Sequence, residues 1–153
     1  MSGASADRAD RNLAEHRLVY RVLIGGLGLV QTIDGLYALF APSSFYGDFP
    51  AGRGWVETLP AYNEHLVRDV GSLFLATGVL LLIAAWLLDR RTVRIALVVF
   101  LIFAIPHLVY HAFNLGPYGT GDAIANVIAL ALTVLPPVGM LWTLRPGPAP
   151  PGT

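Results

Sequence analysis

Two histidines and an asparagine interrupt the apolar segment Ala104 to Asn114, AIPHLVYHAFN. Their spacing is i, i+4, i+7, so a helix stacks His107, His111 and Asn114 on one face, with Phe103 and Phe100 continuing it. Histidines four residues apart can hold a metal, with His65 and a carboxylate completing the ligand set. Beside an aspartate they can instead act as general acid and base on a lipophilic substrate, because a low-dielectric site moves such groups toward neutrality. Heme would need histidines from two helices, such as His65 with His107 or His111, and no other feature of the chain favours it. Both histidines can equally be core residues bonded to backbone or to Asn114.

The composition says where this chemistry would take place. Of 153 residues, 55% are hydrophobic and only 13% charged, which places the chain in a bilayer rather than among soluble domains. All ten basic residues are arginine, a bias that suggests a GC-rich bacterial gene. Cysteine is absent, so disulfides, thiolate metal sites and thiol nucleophiles are excluded. A formal net charge of zero points to neither nucleic acid nor strong attraction to anionic lipid.

Four apolar stretches, about 18–40, 65–88, 92–114 and 122–144, are each long enough to cross a hydrocarbon core of ~30 Å at 1.5 Å per residue. The expected fold is all-α, an antiparallel four-helix transmembrane bundle forming one domain. Residues 1–17 read as a charged tail, and residues 145–153 as an extended Pro-rich one. In the first helix Gly25, Gly28, Thr32 and Gly35 make a stripe of small residues, open to a neighbouring helix, a partner protein or a second copy, with Gln31 and Asp34 beside it. Between the first two helices, Ala41 to Glu64 is broken by Pro42, Pro50 and Pro60. It carries Phe45, Tyr46, Phe49, Trp55 and Tyr62, and reads as an aromatic loop capping the bundle at the membrane interface, with a short turn near Trp55 to Leu59.

Arginines then set the orientation. Arg8, Arg11, Arg17 and Arg21 precede the first helix, Arg90, Arg91 and Arg94 lie between the second and third, and Arg145 follows the fourth, so both termini are expected in the cytoplasm. On this topology Asp34, Arg68, Asp69, His107, His111 and Asn126 share a layer within about 10 Å of the outer boundary. The second helix would present His65, Arg68, Asp69 and Ser72 on one face, and the fourth Asp122, Asn126, Ala129 and Thr133. Arg68 is expected to pair with Asp34, Asp69 or both, because an arginine at that depth needs a counter-charge. The expected ligand-binding set is Gln31, Asp34, His65, Arg68 and Asp69 with His107, Tyr110, His111, Asn114 and Asn126. Asp34, Arg68, His107 and His111 are the catalytic candidates, and His65, His107 and His111 the metal candidates.

The stretches GLGLVQTIDGLYALFAP and LVRDVGSLFLATGVLLLIAAW resemble the DoxX-like small four-helix bacterial membrane proteins. In that group a Gly-rich first helix ending near a proline precedes a second helix with Arg-x-x-Gly, matched here by Arg68 and Gly71. The resemblance implies the four-helix membrane fold and, for those members associated with quinone-linked oxidoreductases, a redox setting. Three functions are compatible with the residues: a polar pocket for a small or lipophilic ligand, an accessory subunit docking through glycine faces, and a proton or ion path, which the apolar cytoplasmic half disfavours. Reporter fusions check the orientation: fusions within Arg90 to Arg94 should report a cytoplasmic location and fusions within the loop 41–64 an extracytoplasmic one, and the reverse pattern overturns it.

Overall fold

A computed structural model describes residues 3–59 and 61–145. The Pro-rich tail lies outside the described residues apart from Arg145. Six helices follow in order: α1 (Gly3–Glu15), α2 (Arg17–Phe40), α3 (Pro42–Asp48), α4 (Glu64–Leu87), α5 (Arg90–Phe113) and α6 (Thr120–Thr143). The last three and α2 are long and apolar enough to cross a bilayer, which makes the fold that of a helical multi-pass membrane protein. Their limits match the sequence expectation within two residues.

Local signals set the helix starts. The Asn63 side chain accepts from Leu66 N at 3.2 Å to begin α4, and Asp89 accepts from Thr92 N at 3.0 Å to begin α5. The Thr92 hydrogen bonds hold the Asp89 carboxyl below its ordinary value, so this cap strengthens folding above that value and weakens as pH falls through it. Between these helices Leu88 takes a left-handed conformation with φ of 51°, which a side chain tolerates at a cost; its own is 3% exposed and locked in the core.

Two expectations for irregular segments are corrected. The N-terminal stretch expected as a tail contains α1, whose Ala9 and Leu13, four residues apart, are buried against the bundle while Asp10 faces Arg90 at 3.7 Å. The interhelical loop is partly helical: Pro42 opens α3, where its missing N–H costs nothing, and Phe45 packs into a cluster with Ala38 and Phe74.

The most extensive helix pairing is α2 on α4, and glycine makes it possible. A Cβ on Gly35 would lie 2.5 Å from Leu75 N, one on Gly71 2.7 Å from Leu39 N, and one on Gly28 3.0 Å from Leu82 N. Backbone therefore meets backbone, and the α4 partner numbers fall as the α2 numbers rise, which fixes an antiparallel pair. The stripe expected to let a neighbouring helix approach closely is taken up by α4. α5 packs on α4 and α6 on α5, whereas α2 and α6 touch only sparsely. At the end where α2 begins and α6 finishes these two are joined by Tyr20 and Thr143, whose hydroxyls lie 2.5 Å apart. At the opposite end they part.

Gly35→Ala should lower thermal stability in detergent by about 1–3 kcal/mol, the usual cost of overpacking. Gly26→Ala, where a Cβ meets nothing within 4 Å, should leave it unchanged or slightly higher. Equal melting temperatures for the two variants would refute the backbone-contact account.

Candidate functional site

Helix C-termini leave carbonyls without partners, which hydrocarbon does not tolerate. Arginine answers this three times. Arg21, the fifth residue of α2, donates from Nε to Ala85 O at 3.1 Å near the end of α4. Arg68, the fifth residue of α4, donates to Leu39 O near the end of α2. Arg94, the fifth residue of α5, donates to Leu144 O at 3.3 Å, just past α6. Helix α6 has Ile124 in that place, and α5 is closed instead by its own Asn114, whose Nδ2 donates to Tyr110 O at 2.7 Å.

These clasps overturn several expectations. Arg68 pairs with Glu64 at 2.9 Å and with the α2 terminus, not with Asp34 or Asp69, because the first turn of α4 lies level with the end of α2 rather than with its middle. Asp69 faces His65 at 3.3 Å on the outside of α4, with both side chains mostly exposed. Asn114 serves as a cap and not as part of an inward face, and Tyr110 is 47% exposed. Gln31 is buried but reaches Thr77 Oγ1 at 3.5 Å, tying α2 to α4. None of these seven residues, Gln31, His65, Arg68, Asp69, Tyr110, Asn114 and Glu64, lines the cavity described next.

Where α2 and α6 part, the bundle encloses about 420 Å³. Each long helix contributes side chains four residues apart at one level: Val30 and Asp34 from α2, Val70 and Phe74 from α4, His107 and His111 from α5, Asn126 and Leu130 from α6. Ala129 and Thr133 continue the α6 wall. Phe45, Phe49, Pro50, Trp55, Val56 and Leu59 close the end, so the loop aromatics expected to anchor at the interface include the cavity's lid.

The lid is fastened to α6. Asp122 accepts from Trp55 Nε1 at 3.0 Å and from Arg53 at 2.5 Å, while Tyr118 Oη donates to Trp55 O at 2.9 Å. The histidines are held by a row of rings. Phe74 meets Phe103 edge-on at 5.0 Å, Phe103 stacks on His107 at 5.0 Å, and His107 meets His111 edge-on at 4.6 Å.

Hydrogen bonding within the cavity is incomplete. His111 is 7% exposed and Asn126 3%, yet His111 Nδ1 and Asn126 Oδ1 have no partner. Buried polar atoms are normally satisfied, and one left bare costs about 1–3 kcal/mol. A third, Thr32 Oγ1, is pressed against Gly78 at the α2–α4 contact, outside the cavity. No family model, curated protein or solved structure matches this chain. The site is therefore read from its own geometry.

That geometry gives Asp34, His107, His111, Asn126 and Thr133 as the polar lining. The metal set of His65, His107 and His111 is not brought together, and no group of three metal-ligating side chains occurs among the described residues. His65, the third histidine considered for a heme, is exposed beside Asp69 and does not line the cavity. Sequence reasoning missed Trp55, Phe49, Phe74 and Tyr118; the loop aromatics were visible, but their inward direction depends on Asp122 and Tyr118, distant in sequence.

Arg68→Ala should cost about 1 kcal/mol, since the side chain is partly exposed and solvent screens its ion pair. In a double-mutant cycle with Asp34→Asn the two effects should add within about 0.5 kcal/mol. Coupling well beyond that would restore the Asp34–Arg68 pair.

Proposed function

We propose that the protein binds a small lipophilic molecule in this cavity. The observation that carries the reading is the cavity itself, which gathers Asp34, His107, His111, Asn126 and Thr133 in walls that are otherwise apolar and aromatic. Access from the bilayer is favoured by the rim: Val30 and Ala129, on the helices that touch sparsely, are exposed where lipid would lie. Arginine placement supports cytoplasmic termini in a cell membrane and a cavity toward the extracytoplasmic leaflet. If the ligand is also turned over, Asp34, His107 and His111 are the groups to move protons, being the titratable side chains in the lining. We include in this proposal the DoxX-like relationship suggested by α2 and α4. Within it Gly71 acquires a physical role, bringing α4 close enough for Arg68 to reach the α2 terminus.

An accessory subunit docking through glycine loses its surface, because Gly28, Gly35, Gly71 and Gly78 are taken up between α2 and α4. A proton path is no better served. The other half of the bundle is filled by Ile24, Leu81, Val93 and Leu97, all fully buried.

Asn126→Leu separates ligand binding from stability. It removes an unsatisfied polar atom, so the melting temperature should hold or rise, while the molecule that copurifies with the wild type should fall at least tenfold by mass spectrometry of gently extracted protein. An unchanged complement of copurified molecules would overturn the reading.

A further inference from the structure

Asp34 is the one carboxylate lining the cavity among the described residues, and it forms no ion pair there. The arginines that could have neutralised it are committed elsewhere: Arg68 to Leu39 O and Glu64, Arg53 to Asp122. A carboxylate in apolar surroundings without a counter-charge is costly, and a cation beside it would relieve that cost. Two further lining residues, His111 and Asn126, each keep a buried acceptor without a partner, Nδ1 in the tautomer protonated at Nε2 and Oδ1, so the lining is rich in acceptors and holds no arginine. Phe45, Phe49, Trp55 and Phe74 line the same cavity, and aromatic rings attract a desolvated cation.

We propose that the cavity's ligand is a lipophilic amine, its ammonium on Asp34 and its apolar body among the aromatic rings. This rests on the ligand-binding reading above and specifies its chemistry. An ammonium brings three donors and the missing charge, whereas an alcohol brings one donor and leaves Asp34 uncompensated. The volume sets the size: 420 Å³ holds about 14 water-sized groups at ~30 Å³ each, so a body of roughly ten heavy atoms fits.

The test compares 4-phenylbutylamine with 4-phenylbutanol, probes of matched length, by isothermal titration on the full chain in detergent. The wild type should bind the amine at least tenfold more tightly than the alcohol, and Asp34→Asn should abolish that preference by weakening the amine alone. Equal binding of both probes to the wild type, which needs no variant, overturns the amine assignment and leaves the cavity a site for neutral molecules. A preference that persists in a folded Asp34→Asn protein also overturns it. Binding of neither probe overturns the amine proposal and counts against the ligand-binding reading on which it rests.

Discussion

Every long helix in this bundle must dispose of its last carbonyls, and the way it does so governs what the polar side chains are free to do. In three of the four cases the solution is an arginine at the fifth position of the neighbouring antiparallel helix. Guanidinium suits the task because it stays charged and offers several donors in a fixed fork, so one side chain can hold a carbonyl and still reach a carboxylate, as Arg68 does with Glu64. The clasp works only if the helices are close. Gly35 and Gly71 set that closeness at one end of α2 and α4, and Gly28 and Gly78 extend it toward the other. Small residues and arginines are thus two parts of one device.

The cavity follows from the same arrangement. With α2 held tightly to α4, and α6 joined to α2 at the Tyr20–Thr143 end, the polar cavity between α2 and α6 lies at the other end. Asp34 lies there, one turn too deep in the bundle to share Arg68 with the α2 terminus. Its lack of a cation is a consequence of how the helix ends are closed.

Much of this was legible in the sequence. Hydropathy places the four spans, and the i, i+4 spacing puts His107 and His111 on the inner face of α5, with Asn126, Ala129 and Thr133 together on α6. Periodicity reports a face but not the neighbour that the face meets. That is why the pairing of Arg68 with Asp34 failed: counting residues puts both in one layer, but Arg68 lies level with the last carbonyls of α2, a turn beyond Asp34, and a helix-end carbonyl leaves no mark in side-chain patterning. Asn114 failed likewise, since the i+7 position that would aim it inward is also the last turn, where an amide side chain bonds its own backbone. The direction of Trp55 rests on partners more than sixty residues away, beyond any local signal. In α1, Ala9 and Leu13 are the buried apolar side chains among those described, and two such residues are easily outweighed by the surrounding charge.

Asp122 has a mechanical consequence. It belongs to the first turn of α6, yet it grips Arg53 and Trp55, so the roof of the chamber hangs on one of its side walls. A displacement of α6 away from α2 would carry that part of the roof along with it. The seam between α2 and α6 and the roof above it are thereby yoked, so that widening the one would loosen the other.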